Sequence, residues 1–277
     1  MGHVPVRRAP IVAMSTALVA LVLGAAPVLA AAPNDDVANA TPLAIPASIS
    51  QDTTQANTSD PDEVALNAFC GAPVVEHGVW FTVTPSADDT YAFDTSASDY
   101  SAGIMLFEGA PSGPSMIDCG PGVIIDDLQA SVTYNLLVFG DGLTQATSGD
   151  LELSTRVATP APDVAFTVNR SGSVDKSGVV HISGTATCTS VNGSGQVIEI
   201  FGDVTQRVGR ILIRGFFDTS PSTPCDGTPQ RWDAFFSGDN GIFAGGKAIT
   251  ANIGVGCTDL CNESFFTATI QLNRNGK

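Results

Sequence analysis

Phe265-Phe266-Thr267-Ala268-Thr269-Ile270-Gln271-Leu272 is the stretch from which the fold can be read. Phe266, Ala268, Ile270 and Leu272 fall on one side, with Thr267, Thr269 and Gln271 between them. This is the two-residue period of a strand with one buried face. Tyr91 with Phe93, Leu151 with Leu153, and Ile211 with Ile213 repeat it. Helical periodicity is scarce, and runs of β-branched and aromatic residues bounded by Gly, Pro, Asp, Asn and Ser recur at sandwich spacing. Strands are expected at 79–84, 90–95, 102–108, 131–139 and 150–157, then at 164–169, 179–187, 196–201, 210–217, 230–236, 248–255 and 265–272. Half-buried antiparallel strands need a second sheet against their apolar faces. The expectation is an all-β chain of two tandem antiparallel β-sandwiches.

Thr159-Pro160-Ala161-Pro162 divides the strand-rich sequence, because alternating prolines cannot continue a sheet and hold a short extended spacer. The expected organisation is a leader at 1–30, a first sandwich at 31–158, the linker at 159–162 and a second sandwich at 163–277. Charge follows the same division. The first half carries 18 acidic residues against Arg156 alone, while the second carries 10 acidic and 9 basic residues. Such acidity disfavours nucleic acid and anionic membrane surfaces, both of which require clustered Lys and Arg. It suits solubility outside the cell, or a hard cation such as calcium.

The leader has the order of a secretory signal peptide: Arg7 and Arg8, an apolar run over 11–23, then small residues with Val28 and Ala30 before the expected cleavage. General secretion fits better than a twin-arginine route, since no polar residue stands just before the pair. No cysteine follows the run to accept lipid. The expected product is secreted and extracellular, without a membrane anchor.

An oxidising destination makes Cys70, Cys119, Cys188, Cys225, Cys257 and Cys261 disulfide formers. With separate halves Cys70 pairs with Cys119, and the other four allow three pairings. Cys188 with Cys225 and Cys257 with Cys261 is the favoured set. A zinc site would need further ligands, and beyond the leader there are only His77 and His181.

The first half resembles the bacterial pre-peptidase C-terminal domain. The resemblance rests on Asn34-Asp35-Asp36, Asp60-Pro61-Asp62-Glu63, Val79-Trp80-Phe81-Thr82-Val83, Ile104-Met105-Leu106-Phe107, Thr133-Tyr134-Asn135-Leu136 and Gly149-Asp150-Leu151-Glu152-Leu153. It implies a jelly-roll-like sandwich with an accessory role, and a calcium site carried over to Asn34 and Asp35. The relatives' second carboxylate pair is replaced by Glu76 and His77, which puts that site in doubt. The second half is similar to a domain of unknown function from secreted actinobacterial proteins, through Gly172-Ser173-Val174, Gly178 to Cys188, Gln206-Arg207, Cys225 and Trp232. That likeness implies an immunoglobulin-like sandwich and no activity.

Catalytic signals are weak. Neither His77 nor His181 comes with a Gly-x-Ser-x-Gly elbow, and the carboxylate pairs Asp88-Asp89 and Asp126-Asp127 sit among turn-forming residues. Arg207, Arg210 and Arg214 form a basic cluster that could grip an anionic polymer, with Arg210 and Arg214 sharing a strand face opposite Ile211 and Ile213. Pairing with Asp203 and Asp218 is the plainer expectation. Trp80 and Trp232 are expected in the core, so aromatic platforms for sugar are thin. The reading is a secreted, non-catalytic accessory or adhesion protein, with extracellular polysaccharide, cell wall or protein as its partner. An unrecognised enzyme, a protease inhibitor and a structural envelope protein are the alternatives, and oligomeric state is left open.

Overall fold

The computed structural model describes residues 31–58 and 60–274. The leader expected at 1–30 lies outside the described residues. No described helix is long and apolar enough to cross a membrane. The described residues form one compact unit, and it is almost wholly β.

In the first half, β1 (Thr41–Leu43), β3 (Glu76–Val83), β8 (Tyr134–Gly140), β5 (Ala102–Glu108) and β6 (Met116–Pro121) form one sheet in the order β1-β3-β8-β5-β6. A second sheet runs β2 (Ala47–Asp52), β9 (Asp150–Val157), β4 (Asp89–Asp94) and β7 (Val123–Leu128). Phe81, Phe93, Ile104, Leu106, Leu136 and Leu153 lie buried in one cluster between the two sheets. The unbroken apolar runs 104–107 and 136–139 have a second explanation. Trp80, Met105, Phe107, Leu137 and Phe139 are buried on the opposite side of the same strands, under α1 (Pro61–Cys70), with Leu66 and Cys70 packed on them. Strands covered on both faces lose their alternation.

Helix α1 was not expected from periodicity, since among its ten residues only Glu63 is buried. Its end signals are local. Asp60 accepts a hydrogen bond from the Asp62 amide at 2.8 Å, Pro61 opens the first turn, and Gly71 closes the helix at φ 76 in the left-handed region. The Cys70–Cys119 disulfide then ties the helix end to β6.

In the second half, β10 (Asp163–Val168), β12 (Val180–Thr189) and β16 (Gln230–Phe236) form one layer. The other runs β18 (Cys261–Arg274), β17 (Gly246–Cys257), β13 (Gln196–Val208) and β14 (Ile211–Thr219), with the short β15 (Thr223–Pro224) on β13. Strand β11 (Ser171–Val174) bonds to β12 and to β18, joining the layers. Between them Phe217 stacks on Trp232 at 5.9 Å, Phe236 meets Phe243 edge-on, and Phe166 lies over Phe266. Gly254 is required here, because a Cβ would come 2.4 Å from the Phe166 ring.

Every expected strand is present. Strands β1, β2, β6, β7, β11 and β15 were not anticipated, and two pairs, β1 with β3 and β11 with β18, are parallel rather than antiparallel. The linker is extended but not free. Asp259, at the tip of the loop closed by Cys257–Cys261, is gripped by both terminal nitrogens of Arg156 and accepts the Thr159 amide at 2.7 Å. Thr258 and Asn262 donate to the carbonyls of Pro160 and Pro162.

The pairing is Cys70–Cys119, Cys188–Cys225 and Cys257–Cys261, with no free cysteine. The bridges close sequence separations of 49, 37 and 4 residues. Chain entropy then ranks them at about 4, about 4 and about 2 kcal/mol. Denaturant unfolding of the three Cys-to-Ser double variants checks this order; a loss at Cys257–Cys261 equal to the others would contradict it.

Candidate functional site

Three surfaces bring polar chemistry together. The first is a cleft of about 420 Å³ on the first half, lined by Asp35, Asp36, Asp60, Asp62, Glu63 and Trp80. It joins two acidic segments that are far apart in sequence. Glu63, only 4% exposed, accepts the Trp80 indole N–H at 2.7 Å and packs so closely on Gly78 that a Cβ there would meet its carboxylate. Burial raises its pKa to about 7, against the indole hydrogen bond and with help from Asp60, Asp35 and Asp36.

Asn34, carried over as a calcium ligand, is turned away from this cleft into the core. Its amide donates to the Trp80 carbonyl at 2.9 Å and its oxygen accepts from Gln51 at 2.6 Å, with no solvent exposure. Asp35 accepts the Asn57 amide at 2.7 Å. Among the described residues no group of three His, Cys, Asp or Glu is arranged to hold a metal ion. The residues do not fit a calcium site, because such an ion takes six or more oxygens.

The second surface is the outer face of β14, β13, β17 and β18. Its outward rows, read in that strand order, are Asp218, Phe201, Ile253 and Phe265; then Phe216, Asp203, Ala251 and Thr267; then Arg214, Thr205, Ile249 and Thr269. Beyond them Arg207 stands beside Leu212 and Lys247 beside Gln271; at the opposite end stand Glu199, Val255 and Glu263. Phe216 and Phe265 are 51% and 71% exposed. Burial, and then Asp218 beside it, pushes the Glu199 carboxyl above its usual range.

The arginine cluster is rearranged relative to expectation. Arg210 sits with Gly209 in the turn between β13 and β14, so it does not share a strand face with Arg214, and Ile211 is exposed at the strand's start while Ile213 is buried. Arg207 and Arg214 do share the outer face. They form no ion pair with Asp203 or Asp218 within the molecule; the described ion pairs are Arg156–Asp259, His181–Asp233 and Arg231–Asp233.

The third surface is a ledge on the outer face of β12 and β16. His181 and Phe235 are cross-strand partners, and their rings stack 4.4 Å apart and 8° from parallel. Asp233 binds the His181 Nε2 at 2.6 Å and Arg231 by two hydrogen bonds, of 3.0 and 2.7 Å. Those hydrogen bonds, Arg231's first, hold Asp233 below the usual carboxylate range against its partial burial. Phe235 remains 69% exposed, so the ring face away from His181 is open. Thr167 and Thr185 share a 2.7 Å hydrogen bond alongside, and Asn169 donates to Ser183.

The remaining candidates are spent locally. The Nδ1 of His77 lies 3.0 Å from the Ala56 carbonyl oxygen. The carboxylate pairs lie more on strands than in turns: Asp89 begins β4 and Asp126 and Asp127 belong to β7, where Asp127 accepts from Thr90 and Asp88 from the Ala130 amide. Both tryptophans are buried, as expected. The exposed phenylalanines were missed, although the sequence signals them: Phe216-Phe217, Phe235-Phe236 and Phe265-Phe266 each place two rings on neighbouring positions of a strand.

No protein-family model matches the chain, and no curated protein does. Among solved structures, it aligns with a glycosyl hydrolase family 2 member from Bacteroides cellulosilyticus at TM-score 0.27 and 9% identity, over 70% of this chain and 28% of that one. A β-glucuronidase from Parabacteroides merdae gives TM-score 0.25 and 8% identity, over 77% and 29%. A β-galacturonidase from Eisenbergiella tayi gives 0.23 and 8%, over 82% and 43%. The chain spans less than half the length of these proteins, and likeness at this level carries no argument about function.

Glu63 yields a prediction with a definite sign. Its folded pKa lies above the ordinary 4.5, so the folded state holds a proton that the unfolded chain releases between about pH 4.5 and 7, and stability falls across that window as pH rises. Glu63→Gln should therefore stabilise the protein by roughly 2–3 kcal/mol at pH 8 and by little below pH 4. Melting curves of both proteins across pH check it; equal stability at pH 8 would contradict it.

Proposed function

We propose that this is an exported, non-catalytic accessory or adhesion protein that holds a neutral extracellular polysaccharide on the β12–β16 ledge. The observation carrying this reading is the open ring of Phe235, steadied by His181 and flanked by the Asp233–Arg231 pair. A sugar ring presents an apolar C–H face and a rim of hydroxyls. The phenylalanine meets the first, while the planar carboxylate and guanidinium keep spare acceptor and donor positions for the second. The charges of Arg231 and Asp233 cancel locally, and a net charge of −16 disfavours polyanions.

A non-catalytic role is supported by the engagement of the reactive groups. All six cysteine sulfurs are in disulfides. Ser183, the cross-strand partner of Asp233, is buried and its hydroxyl accepts from Asn169. The three disulfides suit an oxidising extracellular environment.

Retention on insoluble and soluble neutral polysaccharides tests the reading. Phe235→Ala and Arg231→Ala should each weaken retention about tenfold, a typical loss for a central anchor, while Phe265→Ala on the far side of the sandwich leaves it unchanged. Wild-type protein retained by no polysaccharide, or Phe235→Ala retained as well as wild type, would overturn it.

A further inference from the structure

We propose that the outer face of β14, β13, β17 and β18 is a self-recognition surface on which two copies of this chain pair face to face. The inference does not depend on the polysaccharide reading, since this face and the ledge lie on opposite sides of the second sandwich.

Three observations carry it. The first is apolar exposure: Phe216, Phe265, Ile249 and Leu212 are 51%, 71%, 57% and 40% exposed, with Phe201 6.3 Å from Phe216. A contiguous apolar patch on a sheet is the usual mark of an interface. The second is extent. Five outward rows on four strands cover about 34 by 19 Å, or about 650 Å² per copy, and the roughly 1,300 Å² total lies within the range of specific complexes.

The third observation chooses the partner. Acids occupy one end, where Glu199 and Asp218 repel each other, and bases that make no ion pair occupy the other. A polyanion would meet the bases and be repelled by the acids; a polycation would meet the reverse. A second copy turned end for end offers bases to two of the three acids, Asp218 and Glu199. A two-fold axis lying in the face, perpendicular to the strands, reverses the order of the rows and sets each strand over its own counterpart. With the axis at the Phe216 row, Asp218 of one copy comes opposite Arg214 of the other and Glu199 opposite Arg207, while Glu263 comes opposite Gln271 and Lys247 opposite Val255. Phe216, Asp203, Ala251 and Thr267 in the central row each face their own counterparts, and Asp203 is the charged residue among them. Pairing would also carry two ledges outward on one particle, which raises avidity for a repeating polymer without any new contact.

Sedimentation equilibrium of the protein recovered from the medium of an exporting host tests this over a wide concentration series. Wild type should dimerise reversibly. Arg214→Asp should weaken the dimer about a hundredfold, tenfold at each of two symmetric contacts, and the charge swap Arg214→Asp with Asp218→Arg should restore it to within a few fold. Asp203→Asn should pair more tightly. Phe216→Ser with Phe265→Ser should be monomeric with an unchanged β-sheet circular dichroism spectrum, since both rings lie outside the core. A wild type monomeric throughout, a dimer indifferent to the phenylalanines, or a swap no better than Arg214→Asp would each overturn the proposal. So would capture of an anionic polymer by the monomer, lost in Arg214→Asp and not regained in the swap.

Discussion

Neighbouring side chains in a pleated strand leave on opposite sides, and the second half of this protein is organised by that constraint. Three strands carry Phe-Phe pairs, and in each the pleat sends one ring to the core and the other to solvent. Phe217 and Phe236 are 2% and 7% exposed and pack with Trp232 and Phe243, whereas Phe216 and Phe235 stand outside. A shift of register by one residue would bury Arg214, Asp218 and Asp233 and expose Phe217 and Trp232. The core and the outer surfaces are therefore fixed together.

The same constraint separates what the sequence discloses from what it conceals. Half-buried strands with clean alternation, such as 150–157 and 265–272, were legible, as was the pairing of Cys70 with Cys119, which follows from the separation of the halves, whereas the other four cysteines left three pairings open in the sequence. Helix α1 was not, because its buried contribution is a single glutamate and its remaining packing is spread over half-buried positions. Its cap residues, Asp60, Pro61 and Gly71, are visible in the sequence but mark ends without saying what lies between. Strand β2 alternates only between half-buried and exposed positions, and so presents too little hydrophobic contrast to be read.

The functional surfaces were legible in composition and illegible in arrangement. Asn34-Asp35-Asp36 and Asp60-Pro61-Asp62-Glu63 were both conspicuous, and the fold brings them to one cleft. Asn34, however, is consumed in joining Trp80 to Gln51, which no spacing rule reveals. Glu63 is polar in sequence but behaves as a core residue, because the indole N–H of Trp80 satisfies one oxygen and Gly78 admits the carboxyl against its backbone. A buried carboxyl among acids holds its proton up to about pH 7, so acidity in the sequence does not translate directly into ligand oxygens in the structure.

The two outer faces of the second sandwich show how charge arrangement distinguishes their roles. On the ledge the ionic groups are matched within the chain: Asp233 serves Arg231 and His181 together, and the aromatic ring beside them is what remains open. On the opposite face nothing is matched. Three acids gather at one end and the bases at the other, and between them Phe201, Phe216, Ile249, Ile253 and Phe265 alternate with Asp203 and three threonines. A surface that has satisfied its own charges can bind an uncharged ligand without first breaking them. One that has sorted its charges by sign sets like charges side by side, as at Glu199 and Asp218, and a surface with the opposite order complements it. Another copy of the chain, turned end for end, presents that order along β13 and β14.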